Sequence, residues 1–161
     1  RDGSTSKLCQ RRNFRKMITK FRHTGIVVRK LQEQIDFYIG LGFDIFHREI
    51  EEGNFIAQLV KIKDARLETA KLMSPSGDLL ELLEYHSHPD GKMISLQKSN
   101  QLGCSHIAFT VDSLVQSLNQ VEALGGNCSG HGLISPNGKH RVAYCHDPEG
   151  NLLELVEELT N

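Results

Sequence analysis

Residues 74–84 read Ser-Pro-Ser-Gly-Asp-Leu-Leu-Glu-Leu-Leu-Glu and residues 147–157 read Asp-Pro-Glu-Gly-Asn-Leu-Leu-Glu-Leu-Val-Glu, the same phrase matched position for position. In both, Pro and Gly mark a turn and the aliphatic run after it reads as a β-strand. The likeness extends upstream. Phe21-Arg22-His23-Thr24-Gly25-Ile26-Val27-Val28 answers to Cys104-Ser105-His106-Ile107-Ala108-Phe109-Thr110-Val111, each a β-rich run with histidine at its third position. A repeat this long marks a duplicated supersecondary unit.

Working outward, residues 19–28 suit a strand, and Leu31, Ile35, Tyr38 and Ile39 then follow helical spacing up to Gly40 and Gly42. Strands are expected over 44–50, 66–73 and 79–85. The second unit repeats the order, with a strand over 104–111 and a helix over 113–124 that ends at Gly125-Gly126. Strands over 127–134, 139–146 and 151–158 follow. Each unit is βαβββ, so the fold class is α+β. The chain divides into an extension over 1–16, a first module over 17–87, a linker over 88–102 and a second module over 103–161. From His to Glu is 58 residues in the first module and 48 in the second. The excess falls over 51–65, where a loop or short helix would either cover a site or act as filler.

Side chains alternate across a strand, so Glu81 and Glu84 face opposite sides of a sheet, as do Glu154 and Glu157. Glu81 and Glu154 are each flanked by leucines. A carboxylate among buried aliphatics is costly unless it is paired, protonated or bound to a cation. Occurring twice, each time with a histidine on the module's first strand, the pattern favours a ligand set of His23, Glu81, His106 and Glu154. Two imidazoles and two carboxylates suit a divalent Zn, Ni, Co, Mn or Fe ion. In an octahedral shell two positions remain for water or for adjacent oxygens of a substrate, an arrangement that stabilises an anion as a proton moves.

The formal net charge of −1 argues against nucleic acid as partner. Ten of the 19 Lys and Arg but one of the 20 acids lie in residues 1–30, which leaves nine basic and 19 acidic side chains beyond them. No apolar run reaches the ~18 residues of a membrane span, and no signal-peptide core is present. Cys9, Cys104, Cys128 and Cys145 show no Cys-x-x-Cys spacing, which fits reduced thiols in a cytoplasmic protein. Residues 1–16 lack apolar periodicity; they read as a non-native remnant or as a targeting or partner-binding arm.

The paired His and Glu motifs, the two βαβββ units and the double Pro-x-Gly-x-x-x-Glu-Leu stretch resemble the vicinal oxygen chelate superfamily. That superfamily includes lactoylglutathione lyase (glyoxalase), methylmalonyl-CoA epimerase, extradiol dioxygenases and the fosfomycin- and bleomycin-resistance proteins. The resemblance covers about residues 17–159. It implies a curled mixed sheet around a metal cavity, with His23, Glu81, His106 and Glu154 as ligands. The pattern is most similar to the lyase type, in which a metal-bound glutamate serves as base; Glu154 matches that position, and Glu81 is its pseudo-symmetric partner. The glutathione-contacting motif is absent, because Leu82-Leu83-Glu84-Tyr85-His86 follows Glu81.

The resemblance therefore implies an enzyme acting by proton transfer on a small substrate with vicinal oxygens, of lyase, isomerase or epimerase type. An Fe(II)-dependent dioxygenase or an antibiotic-modifying thiol transferase is the alternative, and a metal-free drug-binding protein is a third. A homodimer is expected, because open half-sheets leave edges that pair with another copy. The four ligands then come from one chain or from two. Glu68 is a candidate second base. Tyr85, Tyr144, Arg22 and Arg141 are candidate substrate contacts, although core-edge packing or solvent exposure is the simpler explanation of each. His86 and His88 suit a solvated linker, and His131, His140 and His146 a surface or cavity rim.

Overall fold

In the first module, β1 (Thr24–Val28) leads into α1 (Leu31–Gly40), and β2 (Asp44–Glu52), α2 (Asn54–Val60), β3 (Arg66–Met73) and β4 (Leu79–Tyr85) follow. These belong to a computed structural model that describes residues 17–92 and 95–159, so the extension read over 1–16 lies outside the described residues. β4 is central: it pairs parallel with β1 and antiparallel with β3, and β3 pairs antiparallel with β2. The second module consists of β5 (Ile107–Val111), α3 (Leu114–Ala123), β6 (Asn127–Cys128), β7 (Leu133–Ile134), β8 (His140–His146) and β9 (Leu152–Glu158). β9 takes the place of β4, between parallel β5 and antiparallel β8.

The α+β class and the two tandem modules are as expected. The strands form two open mixed sheets, one per module, ordered β1-β4-β3-β2 and β5-β9-β8-β6 with β7 on β8. The strand expected over 127–134 breaks into β6 and β7. Gly130 and Gly132 lie between them at φ +101° and +82°, outside the range of strand backbone. A Cβ at Gly132 would run into the Leu114 side chain, so that position admits glycine for lack of space as well. The ten-residue excess of the first module is a helix, α2, which packs on β2 and buries Ile56.

Leu31, Ile35 and Tyr38 of α1 and Leu114, Leu118 and Val121 of α3 lie on one face of each helix and are buried. They join one core, to which the first sheet adds Ala70, Leu72, Leu80 and Leu82 and the second adds Ala143, Cys145, Leu153 and Leu155. The modules interlock directly across it. Phe43 meets Phe109 edge to face at 5.6 Å, and a Cβ on Gly40 would stand 2.5 Å from Leu124. Both sheets therefore turn their helix-covered face toward the common core. Their other faces look away from it.

The second glutamate of each repeat belongs to the core side. Glu84 Oε2 accepts a hydrogen bond of 2.8 Å from the Leu31 amide, and Glu157 Oε2 accepts one of 3.3 Å from the Leu114 amide. Each closes an orphan donor at a helix start, where the helix dipole also favours negative charge. α1, which has no side-chain cap from its own N-cap residue, also receives Glu149, whose carboxylate accepts from the Arg29 and Lys30 amides. Tyr38 donates to buried Asp147 at 3.1 Å, and the amides of Glu149 and Asn151 donate to the same carboxylate. This network ties α1 to the Asp-Pro-Glu-Gly turn before β9.

Candidate functional site

Leu80 and Leu82 point into the core, so alternation places Glu81 on the outward face of β4, and Glu154 stands likewise on β9 between core residues Leu153 and Leu155. His23 directly precedes β1 and His106 directly precedes β5. Pairing brings each histidine to its glutamate. His23 Nε2 lies 3.1 Å from Glu81 Oε2, and His106 Nε2 lies 2.7 Å from Glu154 Oε2. The residues beside the glutamates in the parallel pairing are Gly25 and Ala108, both small, which leaves the space over each carboxylate open. The glutamates are partly shielded, with side chains 13% and 22% exposed.

The four residues thus form two pairs, one on each outward face. Among the described residues no three His, Cys, Asp or Glu side chains are grouped to hold a metal ion. The reason is the shared core: each chain joins its modules through their helix-covered faces, and the His–Glu pairs are left on the opposite faces. Each pair offers one imidazole nitrogen and one carboxylate oxygen within hydrogen-bonding distance, half of the donor set of a borderline divalent ion. The donor chemistry fits a metal, in two halves.

The neighbours of the two glutamates differ. On β3, Lys71 is the register partner of Glu81, and its Nζ lies 3.3 Å from Glu81 Oε1. On β8 the same register position opposite Glu154 is Tyr144. Its ring stands edge-on to His106 with centroids 5.3 Å apart. Partial burial, then the charge of Glu154 and a hydrogen bond to it, hold the Tyr144 phenol above its ordinary pKa. Lys71 escaped the sequence reading, and the signal that finds it is alternation counted back along the strand that pairs with β4. On β2, His47 stands opposite Lys71, with Nε2 3.0 Å from Glu49 Oε1.

Other candidates fall elsewhere. Glu68 lies on the face opposite to Lys71, where Arg48 Nε donates to it at 2.7 Å and His86 approaches at 3.3 Å. The Arg48 bond is the main cause that lowers its pKa, which makes it a poor base. Arg141 pairs with Glu157 at 3.4 Å on the helix side. Arg22 is exposed, and buried His146 reaches the Gln97 carbonyl at 2.8 Å. Tyr85 shares the face of Glu81 but lines a separate polar hollow with Glu84, His86 and Glu149. An apolar cleft of about 570 Å³ between the modules, lined by Phe43, Leu80, Phe109 and Leu155 among others, contains none of the four candidate ligands.

Two βαβββ modules with one outward His–Glu pair each define a duplicated α+β protein whose polar chemistry sits on open sheet faces. The chain belongs to the Glyoxalase/Bleomycin resistance protein/Dioxygenase superfamily, whose family model matches residues 20–155. It is 28% identical over 152 residues to a lactoylglutathione lyase of Pseudomonas aeruginosa, a match that spans 88% of this chain and 84% of that protein. The fold resembles that of a glyoxalase family protein from Bacillus cereus at a TM-score of 0.82 and 24% identity, over 89% of this chain and 96% of that one. It also resembles the fosfomycin resistance protein FosX of Listeria monocytogenes, solved with Mn(II) and sulfate, at a TM-score of 0.59 and 16% identity over 89% and 95% of the two chains. No helix among the described residues is long and apolar enough to cross a membrane.

Proposed function

We propose that this protein is a metal-dependent enzyme that moves a proton on a small substrate with vicinal oxygens, a reaction of the lyase, isomerase or epimerase type. The observation that carries the reading is the repeated His–Glu contact, 3.1 Å in one module and 2.7 Å in the other, on faces that the fold leaves open. Kinship with a lyase supports the reaction type, and the Mn(II) of a structural relative supports a divalent ion in this fold.

The ligands are His23, Glu81, His106 and Glu154. Because the two pairs face away from the core they share, a full set forms when the outward face of the first module meets the outward face of the second module in another copy. Among the described residues β1 and β5 end their sheets, so each offers an edge for that approach. The functional unit is therefore a homodimer with two composite sites. A divalent ion held by His23, Glu81, His106 and Glu154 would supply Lewis acidity, which makes a substrate C–H next to oxygen more acidic. Glu154 takes that proton and returns it. Tyr144, its phenol neutral, faces the same carboxylate and the incoming substrate.

Elemental analysis of stripped and reloaded protein, with solvent-deuterium exchange into 2-hydroxy ketones, hemithioacetals and acyl-CoA thioesters followed by NMR, tests this. The expected result is about one ion per His-Glu-His-Glu set and exchange into one compound class. Unchanged metal content in both His106→Ala and Glu154→Gln would refute the ligand set. No exchange, together with oxygen uptake on a catechol by the iron-loaded protein, would point to dioxygenase chemistry instead.

A further inference from the structure

Each module sets the turn before its last strand against the helix of the other module, and the two contacts, equivalent by the repeat, are filled differently. α1 and α3 are both ten residues long, so Gln34 and Tyr38 of α1 correspond to Ser117 and Val121 of α3. In the turns, Asp147 and Glu149 correspond to Ser74 and Ser76. Against α1 the long side chains meet. Tyr38 donates to Asp147 at 3.1 Å, and buried Gln34, its amide oriented to suit both partners, donates to Asp147 Oδ2 at 3.2 Å and accepts from the Glu149 amide at 3.1 Å. Against α3 the counterparts are short, and Ser74, Ser76 and Ser117 line the apolar cleft of about 570 Å³ instead of closing it. Small-molecule sites span ~300–1,000 Å³.

Phe43, Leu80, Phe109 and Leu155 make the walls apolar, and among the described residues Asp78 is the one charged residue of the lining. The hydroxyl protons at the turn are already used. Ser76 Oγ donates to Asp78 Oδ2 at 2.8 Å, which leaves Ser74 to donate to Ser76 at 2.9 Å, and Ser74 Oγ also accepts from the Asp78 amide at 3.1 Å. A polar ligand atom arriving there meets oxygen lone pairs and a carboxylate, so it has to bring the proton itself. An anion would meet Asp78 with no cation in the lining to offset it.

We propose that this cleft binds a small uncharged molecule with an apolar body and one N–H or O–H donor directed at the Ser74–Asp78 turn. His23, Glu81, His106 and Glu154 are all absent from its lining, so the site is separate from the metal centre and does not depend on it.

Three dyes of one skeleton test it by fluorescence titration of the full chain. N-phenyl-1-naphthylamine is uncharged and carries an N–H, its N-methyl derivative lacks the donor, and 8-anilinonaphthalene-1-sulfonate adds an anion. The first is expected to saturate a single site per chain, with NMR contacts from its ring protons to the methyls of Leu80 and Leu155. The N-methyl derivative should bind ~3- to 10-fold more weakly, the range of one net hydrogen bond, and the sulfonate at least ~10-fold more weakly. Ser117→Gln restores the residue of the filled half and should weaken the first dye ~10-fold or more, as buried contact area is lost, with metal content unchanged. Ser117→Phe, on a partly exposed position of α3, closes the cleft by bulk should the glutamine variant fold poorly. No saturable binding, contacts to other residues, a second or third dye that binds as tightly as the first, or wild-type affinity in a folded Ser117 variant would overturn the proposal.

Discussion

His106 Nε2 lies 2.7 Å from Glu154 Oε2, and the ring of Tyr144 stands edge-on to that histidine. The carboxylate proposed as base therefore has a phenol beside it that stays protonated, because burial and the charge of Glu154 both raise its pKa. Tyr144→Phe should keep metal content and lower the deuterium-exchange rate by ~10- to 100-fold, the range for losing one hydrogen bond to a charged group. An unchanged rate would place the phenol outside the reaction.

Glu154→Gln separates two roles. The amide oxygen can still act as a ligand, so metal content should stay above that of His23→Ala, while proton transfer falls by ~10²- to 10⁴-fold. Exchange at the wild-type rate in Glu154→Gln would move the base to Glu81.

Composite sites make a sharp prediction about mixtures. His23→Ala and His106→Ala proteins should each bind little metal, and their mixture, after subunit exchange, should recover it. In a mixed dimer one site carries both mutations and the other carries neither. Recovery to about half of the wild-type occupancy per mixed dimer is expected from C2 geometry. No recovery, in a sample shown by native mass spectrometry to contain mixed dimers, would place all four ligands in one chain.

The Tyr38–Asp147 bond gives a pH-dependent stability. Burial raises the Asp147 pKa above its usual value, and the hydrogen bonds from Asn151, Tyr38 and Glu149 oppose that rise. A raised acid favours the folded state most below its unfolded pKa and loses that advantage as pH climbs through the folded value. Tyr38→Phe removes one donor to the ionised form, so the variant's Asp147 should titrate higher still. The cost of the substitution should therefore grow from pH 3 to pH 7, reaching ~1.5–3 kcal/mol in urea denaturation. A constant or shrinking difference would contradict the assignment.

Much of the fold is local in origin and so was legible. The strands at 66–73 and 79–85 coincide with β3 and β4, because a Pro-Ser-Gly-Asp turn and residue alternation define both. The repeated His and Glu stood out because a leucine-flanked carboxylate that recurs is hard to explain as packing. The relation between the modules was not legible. It depends on which sheet faces share a core, and Phe43–Phe109 and Gly40–Leu124 are contacts between residues far apart in sequence. Lys71 was hidden for a similar reason, since only strand pairing places it beside Glu81. The break between β6 and β7 was written in Gly130 and Gly132, yet the surrounding residues still alternate like a strand.

The Glu-Leu-Leu-Glu of β4 and the Glu-Leu-Val-Glu of β9 join two tasks in four residues: the first carboxylate faces outward beside a histidine and the second caps a helix on the other side. A strand that slipped by one residue during folding would turn the ligand inward, leave the helix uncapped and bury a charge among the leucines, all at once. Errors in aiming the ligand thus become errors in stability. A misdirected site therefore comes with a less stable fold, which opens more often and is more exposed to proteases.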